Sequence, residues 1–280
     1  MSAHSTKSPF RVHQMTKSPS NDFLAKIADR MKLVRQETER MREGILDHNR
    51  AKEGEARTFS STDGYHLVYK LGGFRNVGFE DATIRRRAVD CSIFKDGRRI
   101  VAADFLEFRV TEEPTDFSFF DEMDERSSTL ANIALAYLSG WDAYKLHYSG
   151  SLVVLNHLAS DAPGERSIWL PMLNTFIDEK IMKDAFVMLV DPYPHDVVDV
   201  INKGHEDDAM QDFALRRHRA KMQFAEHNLG FTALGPDARA SMWMYRLAPS
   251  HAHEIADPRN FRTDEIGDAM RLENPQRRRL

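Results

Sequence analysis

Apolar positions along the chain change their spacing several times, and each spacing predicts a different element. Leu24, Ile27, Met31, Val34, Thr38, Met41 and Ile45 recur at alternating intervals of three and four. This heptad-like seam predicts one long helix over residues 20–54. Ser20 or Asn21 can cap it, and Asp22 suits its first turn. Thr38 and Gly44 weaken the seam, which favours packing on a globular body; homodimerisation through residues 20–54 is the alternative.

Beyond residue 57 the period drops towards two. Tyr65–Leu71 alternates as a strand. Residues 83–95 and Arg98–Val110 flank Asp96-Gly97, the strongest short hairpin signal in the chain. In the second arm Ile100, Ala102, Phe105 and Phe108 alternate imperfectly, a pattern that admits a bulge. Helical spacing returns over residues 116–144, with a stop or kink at Ser139-Gly140.

The second half alternates strand and helix. A strand is expected at 151–158, a turn at 159–166 and a helix at 167–183, with Pro171 in its early turns. Ala185–Val190 is wholly apolar, as in a strand buried on both faces. A helix at 209–228 ends at Gly230, and short strands at 231–234 and 241–247 complete the body. These elements predict one α/β or α+β domain over 57–248, a mixed sheet covered by helices. Residues 1–19, with Thr-Lys-Ser-Pro at 6–9 and 16–19, read as a disordered arm, and 249–280 as a polar tail.

Composition narrows the function. In 280 residues, 41% are hydrophobic, enough for a substantial core. A net charge of −4 argues against general nucleic-acid binding, which needs a basic surface. Cys91 is the only cysteine, which excludes a disulfide framework and a Cys-based zinc site and fits a reducing, cytoplasmic compartment. No apolar run is long enough to span a membrane. His251 and His253 are expected to be solvated in the tail, and no strong metal-ligand spacing occurs. The Gly-x-Ser-x-Gly of serine hydrolases and the P-loop lysine motif are both missing.

The remaining chemistry is in the stretch SLVVLNHLASDAPGERSIWLPMLNTFIDE, residues 151–179. A buried strand, a Gly/Pro/Ser turn and a helix in succession are the layout of a phosphate-binding loop, because helix N-termini offer unpaired N–H groups and a positive dipole end. The turn is equally compatible with a purely structural role. Together with the apolar strand at 186–190 and the ending Phe224-Ala-Glu-His-Asn-Leu-Gly-Phe-Thr-Ala-Leu234, this stretch resembles the GNAT superfamily of N-acetyltransferases. The likeness covers 150–247 by residues and 60–110 by element order.

Several expectations follow from that resemblance. The fold is a GNAT-like mixed, mainly antiparallel sheet with a splayed central pair of strands. An acyl-CoA, acetyl-CoA in the simplest case, lies along the edge of the strand carrying Leu158 and Ser160. Its pyrophosphate meets the turn at Gly164, Arg166 and Ser167. An amine, on a small molecule or a protein, is the acceptor. His157, whose ordinary pKa is near 6.5, is the candidate base. Glu226 and His227 stand where the family places the acid that protonates the leaving thiolate. Asp191, at the exit of the next strand, is a candidate for meeting the acceptor amine.

The sequence also departs from the family pattern. Ser167 and Trp169 replace small residues of the loop, Glu165 adds negative charge beside it, and no tyrosine stands at 226. A packed core histidine is the competing reading of His157, and an exposed polar helix end that of Glu226 and His227. Three functions remain open at this stage: an N-acyltransferase, a non-catalytic GNAT-like binding or assembly protein, and an unrelated α/β protein of similar strand order.

Overall fold

The computed structural model describes residues 55–77, 82–192, 208–234 and 243–257. The expected arm, the seam helix over 20–54 and most of the expected tail lie outside these residues. The described part is built on a nine-stranded sheet. Its strands are β1 (Arg57–Thr62), β2 (Tyr65–Leu71), β3 (Arg75–Asn76), β4 (Ile84–Lys95), β5 (Arg98–Val110), β6 (Ser151–Ser160), β7 (Ala185–Val190), β8 (Thr232–Ala233) and β9 (Met244–Leu247). They run in the order β1-β2-β4-β5-β6-β7-β9-β8, with β3 paired to β4. Every pairing is antiparallel except β6 with β7, which is parallel. The fold is therefore mixed α/β with a mainly antiparallel sheet.

Two tight turns shape the hairpins. Asp96 and Gly97 both have positive φ (49° and 80°), as expected for a two-residue hairpin loop. Asp63-Gly64 does the same (47° and 81°) and creates β1, a strand the hydrophobic pattern does not reveal because its residues are mostly exposed. The bulge admitted in the second hairpin arm is present. Ile93 pairs with Val101 and Phe94 with Arg99, so Ile100 is the extra residue.

Helices cover the sheet over two core clusters. The helix read ahead of Ser139-Gly140 is two, α1 (Asp116–Asp124) and α2 (Ser128–Leu138); the expected stop follows α2, and α3 (Tyr144–Ser149) lies beyond it. The break has a local cause. Ser127 is extended (φ −172°, ψ 149°), and its hydroxyl accepts from the Leu130 N–H at 3.2 Å, capping a new helix inside the apolar pattern. Thr115 and Ser118 form a reciprocal capping box on α1. These helices bury Phe119, Met123, Ile133 and Tyr137 against Phe108, Leu152, Val154 and Phe186. The other cluster packs α4 (Arg166–Phe176) and α5 (Asp208–Leu229) with Leu67, Val89, Phe105, Val153 and Met188.

Two boundaries differ from expectation. The helix read to residue 183 ends as an α-helix at Phe176 and continues as a π turn over Ile177–Ile181. The body also continues beyond residue 248. Trp141 Nε1 donates to the Glu254 carbonyl (2.9 Å), Lys145 pairs with the Glu254 carboxylate (2.7 Å), and the Asp257 N–H donates to the Gly140 carbonyl (3.3 Å). His251, expected to be solvated, stands edge-on to Phe186 (5.3 Å between ring centroids) and bonds Glu254 (3.0 Å). His253 is exposed.

Candidate functional site

The parallel pair at the centre of the sheet stays together over only part of its length. Pairing runs from Ser151–Ala185 to Val154–Leu189 and goes no further. On its other side β6 stays paired with β5 as far as Ser160–Val101. Asn156 is an extra residue in β6, between the Leu155–Phe105 and His157–Asp104 pairs. Its bulge falls where β6 parts from β7, and a bulge bends the strand that carries it. Residues 155–160 consequently have no β7 partner along one edge.

From that edge the chain enters the loop. The Ser160 hydroxyl accepts from the Ala162 N–H (3.2 Å), and Pro163–Glu165 make a single 3₁₀ turn leading into α4. No side chain caps α4: Glu165 occupies the cap position without bonding the first turn. A Cβ placed on Gly164 would meet nothing within 4 Å, so the loop backbone is open to an approaching group. Ser167 and Ile168 are exposed in the first turn. Pro171 has no N–H to offer the Ser167 carbonyl, which further loosens this turn.

Two of the sequence departures find structural explanations. The Trp169 ring is not in the loop mouth. It is 2% exposed, lies within the first core cluster, and its Nε1 donates to the Ala162 carbonyl at 3.0 Å. The ring therefore braces the loop from beneath. Glu165 is held on both carboxylate oxygens, by Tyr65 Oη (2.8 Å) and Lys95 Nζ (2.8 Å). The hydrogen bonds from Lys95 and then Tyr65 hold its carboxyl below the ordinary range, and the same contacts raise Lys95. Its charge is thus neutralised at the ends of β2 and β4.

Arg166, the first residue of α4, is exposed and lies 4.9 Å from the Phe224 ring centroid, a cation–π contact with α5. Six residues earlier on α5, His218 Nδ1 stands 3.4 Å from the Pro192 carbonyl, just past the exit of β7 at Asp191. One helix therefore contacts both the loop after β6 and the chain leaving β7. The far end of α5 is fixed too. Gly230 has φ +71°, Asn174 Nδ2 donates to the Asn228 carbonyl (2.9 Å), and Arg246 Nη1 donates to the Leu229 carbonyl (3.1 Å). Arg246 is itself ion-paired with Asp178.

The sequence candidates are distributed as follows. Leu158 pairs with Ala103 and packs on the first cluster, while Ser160, Gly164, Arg166 and Ser167 follow one another around the loop. His157 is half-buried on β6, one residue past the bulge and directly opposite Asp104. Glu226 and His227 are exposed on α5, and His227 Nδ1 bonds the Gln223 carbonyl (2.9 Å) within its own helix. Arg166–Phe224 links the loop to that helix two residues before Glu226. Sequence reading missed the Tyr65–Lys95–Glu165 clamp, whose members lie 70 and 100 residues apart along the chain.

Among the described residues no group of three or more His, Cys, Asp or Glu side chains is arranged to hold a metal, and no helix is long and apolar enough to cross a membrane. Comparison of the chain with family models, with curated proteins and with solved structures finds no match in any of the three.

Proposed function

We propose that the protein is a divergent GNAT-like, acyl-CoA-dependent N-acyltransferase that passes an acyl group, acetyl in the simplest case, to an amine. The observation that carries this reading is the parting of β6 from β7 after Val154–Leu189, directly ahead of an uncapped helix N-terminus. A strand edge without a β7 partner can hydrogen-bond an extended amide-bearing chain such as pantetheine. The N–H groups and dipole of α4 favour a diphosphate at the edge's end. The open Gly164, the neutralised Glu165 and the inward Trp169 suit such a ligand, and Arg166 adds a cation.

In this reading residues 155–160 align the acyl donor, and Gly164, Arg166 and Ser167 hold its phosphates. The acceptor nitrogen attacks the thioester carbonyl; a C–N bond forms and the C–S bond breaks. His157 takes the proton from the amine, and Glu226 or His227 supplies one to the departing thiolate. Asp191, at the exit of β7, is the candidate to meet the acceptor amine. The exposed positions of Glu226 and His227 favour one alternative, a domain that binds acyl-CoA or an assembly partner without turnover.

Calorimetric titration with acetyl-CoA, with adenosine diphosphate as the control, tests the reading. Micromolar affinity specific to acetyl-CoA, about −8 kcal/mol, is expected. Arg166→Ala should weaken it by about 1.5–3 kcal/mol, the range for a charge-assisted contact. Absence of binding at millimolar ligand would overturn the proposal, and binding with no turnover across a panel of amines would select the non-catalytic alternative.

A further inference from the structure

The sheet holds a row of charged side chains, only one of which, His157, has a part in the acyl-transfer reading. Cα pairing sets Lys70 on β2 opposite Asp90 on β4, Asp90 opposite Asp104 on β5, and Asp104 opposite His157 on β6. Directly paired residues point to the same face, so the four side chains lie side by side on one surface of the sheet. It is the face of the α1–α3 cluster: the next pair along it, Leu106 with Val154, belongs to that cluster. Asp90, Asp104 and His157 are half-buried and Lys70 is exposed.

Two carboxylates placed directly opposite each other repel, and such a pair persists where cations flank it. Lys70 is the cation on one side. On the other side is His157, whose imidazole is a second cation when it carries a proton. The carboxylates are felt through the sheet. Cys91, next to Asp90 in the chain and pointing to the opposite face, has its thiol pushed up by burial first and then by Asp104 and Asp90. Of the other charged groups on elements that pack against β6, β5 carries Arg98 and Arg99 near its start and Glu107 and Arg109, paired with each other, near its end. Asp191 lies at the exit of β7, and α3 carries Lys145 and His147, with Lys145 paired to Glu254.

We propose that Asp104, backed by Asp90, is the positioning residue for His157: it orients the imidazole and sets its charge. This deepens the acyltransfer reading and rests on it for its functional meaning. A carboxylate beside an imidazole favours the charged form and, in the neutral form, the tautomer whose N–H faces the carboxylate. The opposite ring nitrogen is then the one left to accept a proton. Moving the titration of His157 up from about 6.5 towards neutrality also matches it to work as a base near pH 7.

The distances set the size of the effect. Opposed Cβ atoms on neighbouring strands lie roughly 4.5–5.5 Å apart, within the range where one opposite charge shifts a titration by about one unit or more. Asp90 is one further strand spacing away, about 4.8 Å, so its influence has the same sign and a smaller size.

The test is an NMR titration of the histidine Cε1–H signals of the full chain from about pH 5 to 9, with His157→Gln assigning the resonance. The expected wild-type midpoint lies above about 6.5. Asp104→Asn should lower it by about one unit, Asp90→Asn by less, and Asp104→Glu should largely retain it. A midpoint unmoved by either Asn substitution overturns the proposal; if Asp104→Asn does not fold, Asp90→Asn decides alone. The titration needs neither acyl-CoA nor turnover. An unmoved midpoint with intact acetyl-CoA binding therefore removes Asp104's role only, whereas a moved midpoint without acetyl-CoA binding supports that role and removes the acyltransfer reading.

Discussion

Single residues fix several features that no average property of the chain requires. Gly150 joins α3 to β6 with φ +124° and ψ −170°, a conformation essentially confined to glycine. A Cβ there would also stand 2.7 Å from the Asp184 carbonyl oxygen. Gly150→Ala should therefore lose about 1–3 kcal/mol of stability, read as a fall in the urea midpoint at unchanged slope. A loss under half a kcal/mol would mean that the backbone relaxes at no cost. Trp169 shows how residue identity misleads without context: a large ring in the sequence of the loop is turned inward, because it is apolar and its one donor reaches Ala162.

Between elements, the loop ahead of α4 depends on ties to distant strands. Glu165 joins it to Tyr65 at the start of β2 and Lys95 at the end of β4. Its carboxyl is lowered in the folded protein, chiefly by the Lys95 hydrogen bond. A lowered folded value means that the tie contributes above the carboxyl's unfolded pKa and is lost as pH falls through the folded one. Stability measured from pH 7 down into the acid range should decline less steeply in Lys95→Met than in the wild type, because that substitution removes the main cause of the shift. Identical slopes would show that the Lys95 bond to Glu165 contributes nothing to stability. The separation of α1 from α2 has the same local character: one serine hydroxyl at 127 outweighs an apolar periodicity that would otherwise run straight through.

At the scale of the molecule, the sheet is stitched by groups far apart in sequence. Glu107 on β5 is 6% exposed and accepts from Arg87 on β4 (2.5 Å) and from Arg109 (2.9 Å), whose guanidinium groups lie 4.6 and 4.9 Å from the Phe74 ring centroid. Removing this carboxylate takes the carboxylate partner from Arg87 and leaves Arg109 only the longer contact with Asp184 (3.9 Å). Glu107→Ala should cost about 2–3 kcal/mol, less than the full penalty for orphaning a buried charge because Arg109 is 42% exposed. Thermal and urea unfolding measure it; a variant as stable as the wild type would show that water replaces the carboxylate at that edge.

The sequence by itself determined most of the elements and their order, because period and turn chemistry are local. Asp96-Gly97 placed a hairpin, the unbroken apolar run at 185–190 placed a central strand, and Leu229-Gly230-Phe231 ended α5 with Leu229 and Phe231 buried. It also picked out the loop residues Ser160, Gly164, Arg166 and Ser167, which are neighbours in the chain and remain so in space. Only the tertiary structure decided where β6 leaves β7, that Trp169 faces the core, that Glu165 is neutralised from β2 and β4, and that His157 stands opposite Asp104. Those relations depend on strand register, and register is set by the packing of both sheet faces at once, over separations that no local pattern spans.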